Sequence, residues 1–221
     1  MAPDWAAHFE RERGRYEDGV SRLPGLADAD ERQRQLTRMG NAAAGAGLAL
    51  LMDGRHGEAG DWLELAAQRY RESFPGAPPG SWGRPIGVVK ARLLAGDGLA
   101  AEEDARWALA EDAAGSDSPI GRYAACLALL VLGRDHEALG LAGSLRGRVD
   151  FPADVAEALF AIAAADQDLY RTSVAAVLRS FEAREAYLED IPAADTVVVL
   201  QKLAEPRGLE AELDSPLLPP R

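Results

Sequence analysis

Cysteine is almost absent from this sequence, and long apolar runs are absent altogether. The single cysteine, Cys126, excludes an internal disulfide and a zinc site built from several cysteines. The longest apolar or small-residue runs, residues 42–52 and 123–133, are shorter than the roughly 20 residues of a membrane-spanning helix. Charged residues near the start occupy the place where an export signal needs an apolar core. We therefore expect a soluble cytoplasmic protein that does not bind membranes.

Residues with catalytic or metal-binding chemistry are also scarce. The three histidines are His8, His56 and His136, and the segment HEALG at 136–140 lacks the second histidine of a zinc-binding helix. The sequence contains no P-loop, no GxGxxG cradle and no nucleophile elbow. Cys126 lies in an apolar segment, which is typical of a core residue. These absences predict no catalytic residue, no metal and no cofactor, although an all-helical enzyme of unknown type remains an alternative.

Negative charge is concentrated in three parts of the chain. Residues 99–117, 182–195 and 205–214 together carry the whole net charge of -12. Such local acidity disfavours binding to nucleic acids and anionic membranes, because both need cationic side chains that neutralise phosphate. It is compatible with a basic protein partner. The alternative is that these acids form solvated faces that only keep the protein soluble.

A helix-turn-helix pattern recurs four times. Small residues serve as anchors at Gly54, Gly96, Gly133 and Ala165, which lie 42, 37 and 32 residues apart. Three further positions in each copy are small or apolar in nearly every case. Seven residues before the anchors stand Gly47, Val89, Cys126 and Ala158, and three residues before them stand Leu51, Leu93, Leu130 and Ile162. Five residues after the anchors stand Ala59, Ala101, Ala138 and Tyr170. The spacing is near the 34 residues of a tetratricopeptide repeat but irregular, and the Trp, Leu-Gly and Tyr signature of that repeat is missing. The pattern predicts an all-α protein, an irregular helix-turn-helix array similar to a degenerate tetratricopeptide-like solenoid.

Local signals extend the helices on both sides of the repeats. Apolar spacing predicts a first helix from Trp5 to Val20 and a long second helix over 28–53. Ser118 before Pro119 predicts a helix start, and Asp135 is a candidate cap for the helix after Gly133. The β-branched segment TVVVL, residues 196–200, is interpreted as a buried helix. We expect a single domain over 1–221, in which 1–53 holds N-terminal helices, 41–190 the repeat core and 191–221 a last helix and tail.

One segment interrupts the helices. Residues 74–85, FPGAPPGSWGRP, contain seven prolines and glycines in twelve positions and predict a loop. Trp82 lies near its tip. It is either an anchor for a partner, because tryptophan is enriched among interface hot spots, or a plug that folds back on the helix ends.

The C-terminal segment Ser180–Pro219 resembles the end of the immunity 49 family of bacterial polymorphic-toxin systems. The shared order is a helix ending in an aromatic and acidic stretch, a linker with Pro192, the helix DTVVVLQKLA, an Arg-Gly turn at Arg207 and Gly208, and a final SPLLP. The resemblance implies a non-catalytic immunity protein that binds the toxin domain of a neighbouring protein in a stoichiometric complex.

Seven residues are our candidates for contact with a basic toxin domain. The hypothesis is that exposed acids steer the toxin and that the loop tryptophan anchors it; the candidates are Trp82, Glu102, Glu103, Glu182, Glu185, Glu189 and Asp190. The main alternative is a helical-repeat adaptor that binds a peptide or protein partner. An asparagine or a basic clamp on an inner helix face would favour the adaptor, and Asn41 is the only asparagine.

Overall fold

The structure, a computed structural model, describes residues 3–220, and all regular secondary structure in that range is helical. Its α-helices are α1 Trp5–Arg22, α2 Ala29–Met52, α3 His56–Ser73, α4 Gly83–Ala95, α5 Gly98–Ala110, α6 Pro119–Val131, α7 Asp135–Leu145, α8 Ala153–Ala164, α9 Gln167–Glu182 and α10 Asp195–Ala204. Short 3₁₀ turns occur at Leu23–Gly25, Ala113–Gly115, Leu188–Asp190 and Glu205–Arg207. No strand occurs among these residues, which confirms the all-α prediction. None of their helices combines the length and apolar character that a bilayer crossing requires.

The described chain divides into two compact units. The first unit comprises residues 3–96, 185–193 and 216–220, and the second comprises residues 97–184 and 194–215. Within each unit a helix packs against the next one in sequence, from α1 to α4 in the first unit and from α5 to α9 in the second. Helix α10 packs against α8 and α9. The sequence-based bounds 1–53, 41–190 and 191–221 stay predictions, and residues 1, 2 and 221 lie outside the described range.

The four predicted anchors all follow the ends of helices in the left-handed backbone region. Their φ angles are 75° at Gly54, 78° at Gly96, 66° at Gly133 and 51° at Ala165. A left-handed residue stops a helix and lets its last carbonyls be satisfied, and glycine adopts this conformation at least cost. The helices on the two sides of Gly54, of Gly133 and of Ala165 contact each other. The predicted helix ends are therefore confirmed at all four anchors, and the predicted contact between the flanking helices is confirmed at Gly54, Gly133 and Ala165.

In the first and third repeats, residues at equivalent positions also make equivalent contacts. Seven residues before the first anchor, a Cβ on Gly47 would lie 3.3 Å from the carbonyl oxygen of Ala59, which is five residues after it. In the third repeat the thiol of Cys126 lies 3.7 Å from the carbonyl oxygen of Ala138. Both alanines are fully buried. Small residues at these positions thus let the paired helices approach closely, as the spacing predicted.

Most of the local predictions are confirmed, with two corrections. Ser118 caps α6 with a bond from the amide of Ile120 to its hydroxyl at 3.3 Å, and TVVVL lies inside α10. Asp135 does not cap α7; it is the first helical residue, and its carboxylate is bonded to Arg207 instead. The predicted loop 74–85 ends three residues early, because α4 begins at Gly83. Pro85 fits there because the amides of a first helical turn have no helical acceptor to lose.

Candidate functional site

A buried carboxylate lies inside the first unit. The side chain of Glu12, on α1, is fully buried and accepts bonds from Arg11 Nε and Arg15 Nη1, each at 2.8 Å. A Cβ on Gly45 of α2 would lie 3.0 Å from Glu12 Cγ, so a glycine at that position makes room for the acid. A buried charge needs close partners of opposite sign, and the two arginines provide them.

The same two arginines hold a second acid, Glu189, which lies in the short turn after α9. Arg15 pairs with its carboxylate, Arg11 donates to its backbone carbonyl, and Asn41 Nδ2 donates to Oε1 at 3.0 Å. The Glu189 side chain is only 14% exposed. Burial lowers the pKa of Arg15, but the hydrogen bond to Glu189 and the charge of Glu12 more than offset this and raise that pKa above its ordinary value. We call Arg11, Arg15 and Asn41 the Glu189 cradle.

Tyr70 of α3 orients the asparagine of the cradle. Its hydroxyl donates to Asn41 Oδ1 at 2.9 Å, which leaves the Asn41 amino group to face Glu189. A Cβ on Gly40 would lie 2.8 Å from Cδ1 of the Tyr70 ring, and a Cβ on Gly87 would lie 2.8 Å from Cδ2. The ring thus fits a slot between α2 and α4 that only glycines leave open.

The backbone at Glu189, the acid held by the cradle, is in an unfavourable conformation. Glu189 and Asp190 have φ angles of 53° and 54°, which side-chain-bearing residues rarely adopt. Such conformations persist where surrounding contacts impose them and often mark functional segments. The bonds from Arg11, Arg15 and Asn41 supply those contacts.

A second polar group in the first unit surrounds Arg84, in the first turn of α4. Its guanidinium donates to Thr37 Oγ1 at 3.2 Å, to Ser73 Oγ at 3.0 Å and to Gln33 Oε1. Because these acceptors are neutral, burial lowers the pKa of Arg84 below its ordinary value. The group joins α2, α3 and α4 through hydrogen bonds to a single side chain.

In the second unit an arginine fixes the C-terminal segment. Arg207, whose side chain is 9% exposed, donates to the carbonyls of Leu130 at 2.8 Å and Leu203 at 2.6 Å and to Asp135 Oδ1. Gly208 follows with a φ of 67°, so residues 207 and 208 form the predicted Arg-Gly turn. The segment then runs along α9, where Gln167 bonds both the amide and the carbonyl of Glu210 at 3.0 and 2.7 Å.

The predicted acids have different environments. Glu103, Glu182, Glu185 and Asp190 are exposed, and Glu102 is half-buried with an ion pair to Arg106 at 2.7 Å. Of these, Glu182 accepts a bond from the Ser215 hydroxyl at 2.8 Å. The expectation that Glu189 lies on a solvated face is wrong, because the cradle encloses it. An acid in a loop has the same sequence pattern whether it meets water or an arginine.

Trp82 precedes α4 as its N-terminal flanking residue and is half-buried. Its ring lies 6.2 Å from the ring of Phe74, at an interplanar angle of 39°. The side chain therefore packs on the other end of its own loop and also keeps an exposed part. Both interpretations of this tryptophan stay open.

Sequence reasoning missed the cradle, although two signals point to it. One is the only asparagine of the chain, placed on a helix rich in glycine and alanine; the other is a pair of arginines at a spacing of four on α1, on either side of Glu12. Within residues 3–220 no group of three or more His, Cys, Asp or Glu side chains has a metal-binding arrangement. Comparisons with protein-family models, with curated proteins and with solved structures found no match.

Proposed function

We propose that this chain is an immunity protein that binds a cognate bacterial toxin domain in a stoichiometric, non-catalytic complex in the cytoplasm. The observation that carries the proposal is the C-terminal segment. The elements on which the resemblance to the immunity 49 family rests occur there in the same order, as α9, a linker with Pro192, α10, the turn at Arg207 and Gly208, and the final SPLLP. The acids Glu182 and Glu185, in the same segment, are exposed.

A rigid helical scaffold suits this task physically. Helices that pack on their sequence neighbours, in an arrangement that we propose to be tetratricopeptide-like, present a preformed surface that loses little conformational entropy on binding. Exposed acids favour a basic toxin surface, since complementary charge accelerates encounter and rejects wrong partners. Other toxin-immunity pairs reach dissociation constants on the order of 10⁻¹³ M.

The test of this proposal is protection of cells. Cells that express the toxin domain encoded beside this gene should survive when they also express the chain, and the two purified proteins should form a one-to-one complex. If no neighbouring toxin is neutralised, the immunity function is wrong.

Charge reversal tests the steering part separately. The double variant Glu182→Lys/Glu185→Lys should slow association with the toxin domain and flatten its salt dependence, because screening acts on the encounter rate. Glu189 is left unchanged, since its side chain is only 14% exposed and is held by the cradle. The matched control is Glu10→Lys/Glu17→Lys, which changes the charge equally at exposed positions of α1 outside the three acidic segments. Equal rates for the two double variants at low salt would exclude steering by the C-terminal acids.

The loop tryptophan is tested by Trp82→Ala. If Trp82 anchors the toxin, this variant weakens binding by about 2 kcal/mol or more and leaves the melting temperature nearly unchanged. If the Trp82 ring instead packs on Phe74 and covers the helix ends, the melting temperature falls and binding is retained. Fluorescence melting and calorimetric titration distinguish the two roles.

A helical adaptor for a peptide or protein partner is the second candidate function, and one observation favours it. Asn41 and two arginines, the side chains expected on the inner face of such an adaptor, together hold a carboxylate in the first unit. Capture of a ligand other than a toxin by the full chain would support it.

A further inference from the structure

We infer that the Glu189 cradle is a binding site for the carboxylate side chain of an extended peptide, and that Glu189 occupies it as an internal ligand. The inference goes beyond the immunity function and does not depend on it. It rests on three features of the cradle, which are its preformed geometry, its charge and the unfavourable backbone of its occupant.

The cradle belongs to regular helices, whereas its occupant belongs to a short turn. Arg11 and Arg15 lie on α1 and Asn41 lies on α2, and Glu12 and Tyr70 fix them from behind through bonds of 2.8 to 2.9 Å. None of these supporting bonds involves Glu189. The donors therefore keep their positions when the turn moves away, as a binding site requires.

The charge of the cradle fits one carboxylate. Two arginines and the buried Glu12 leave one positive charge, which Glu189 neutralises. Arg15 and Asn41 address the two carboxylate oxygens, while Arg11 addresses the backbone carbonyl of the same residue. A ligand that offers a carboxylate and an adjacent peptide carbonyl satisfies all three donors, so the site selects acidic peptides over small carboxylate ions.

The internal ligand is bound in an unfavourable conformation. Glu189 and Asp190 both have left-handed backbones, and a peptide that is free to choose its conformation avoids that cost. Tethering compensates, because a segment joined to the same chain has an effective concentration in the mM range. We therefore expect the site to be closed to weak ligands in the wild-type chain and to open when Glu189 is removed.

The experiment uses the full chain with Glu189→Gly, which removes the carboxylate and suits the left-handed backbone. Labelling with ¹⁵N-asparagine gives a single pair of side-chain amide signals, because Asn41 is the only asparagine. The probes are the heptapeptide AYLEDIP, which copies residues 186–192, the peptide AYLQDIP, and acetate. The Asn41 side-chain signal should shift on titration with AYLEDIP, with affinity at least about tenfold higher than for AYLQDIP, since hydrogen bonds to a charged group are the stronger ones.

Controls make the result specific. Adding Arg15→Gln to Glu189→Gly should abolish the preference for the acidic peptide, and the wild-type chain should show no shift at the same peptide concentrations. An Asn41 signal that does not move, or equal affinity for the two peptides, would overturn the inference. A shift with acetate that equals the shift with AYLEDIP would overturn the selection of peptides. If the glycine variant does not fold, Glu189→Gln is titrated with the same probes and judged by the same outcomes.

Discussion

The two units of the chain bury different chemistry. The first unit buries the polar side chains of Glu12, Gln33, Gln35 and Ser73, whereas the second buries those of Asp104 and Ser173 among many alanines, leucines and valines. The polar groups of the first unit need specific partners, such as the arginines around Glu12, and contribute specificity more than stability. The second unit is held mainly by close apolar packing, to which Arg207 adds bonds from the C-terminal turn.

Individual helical glycines also differ in how closely they are packed. In the first unit Gly40, Gly45 and Gly87 lie where a Cβ would approach another side chain to 3.0 Å or less. Gly140 of α7, in the second unit, has nothing within 4 Å of an added Cβ. Glycine is thus a packing requirement at these three positions of the first unit, whereas Gly140 is a neutral or unfavourable choice for its helix.

The largest effect is expected from Gly40→Ala. The new methyl group would meet the Tyr70 ring, which Gly87 blocks on its opposite edge, so we expect a loss of about 2–3 kcal/mol in the free energy of unfolding. The matched change Gly140→Ala should instead stabilise by about 0.5–1 kcal/mol, since alanine is the better helix former. Urea unfolding measures both. Similar free energies for the two variants would refute the contrast between the two glycine sites.

A smaller loss is expected from Arg207→Met. It leaves the carbonyls of Leu130 and Leu203 without their side-chain donor, and we expect unfolding to become easier by about 2 kcal/mol. Arg134→Met is the control. Arg134 directly precedes Asp135, the partner of Arg207, but its own ion pair with Glu137 is exposed. Thermal melts should show a clear shift for the first variant and none for the second. A control that melts as early as Arg207→Met would contradict a special role for Arg207.

The smallest effect concerns alkaline pH and the apolar core of the second unit. Burial raises the pKa of Cys126 to about 12, whereas an unfolded thiol ionises near 9. The folded state therefore binds the thiol proton more tightly than the unfolded state does. The stability contributed by the protonated thiol is complete below pH 9 and is lost as the pH rises towards 12. Between pH 9 and pH 10 the free energy of unfolding should fall by about 1 kcal/mol more in the wild type than in Cys126→Ala.

Urea unfolding at the two pH values measures this difference. A thiol reagent at pH 8 should label Cys126 only when the protein unfolds. Rapid labelling of the native chain, or identical pH slopes for wild type and variant, would show that the thiol is accessible.

The fold was predictable where its causes are local. Gly54, Gly96, Gly133 and Ala165 end helices through a backbone conformation that small residues favour, and apolar spacing on each side defines the helices. The start of α4 was misplaced by three residues because a Pro-Gly run looks the same in a loop and in a first helical turn.

The candidate site was not predictable in the same way. Asn41 and Glu189 are 148 positions apart, and nothing in the spacing of either residue indicates the other. Counting charges along the sequence predicted a solvated surface for Glu189. A sequence gives the charge of a side chain but does not show which side chain lies next to it in the fold. The slot for Tyr70 needs glycines on two different helices, which only the three-dimensional packing brings together.

The slot around Tyr70 also makes the rotation rate of this ring a measure of helix motion in the first unit. A phenol ring can rotate by half a turn only if both of its edges have room, and here Gly40 and Gly87 close the two edges. Rotation must then wait until α2 or α4 moves outward, although the bond to Asn41 can persist because the hydroxyl oxygen lies on the rotation axis. The rate at which the two sides of the Tyr70 ring exchange, read from its aromatic proton resonances, therefore reports how often the helices around the cradle separate.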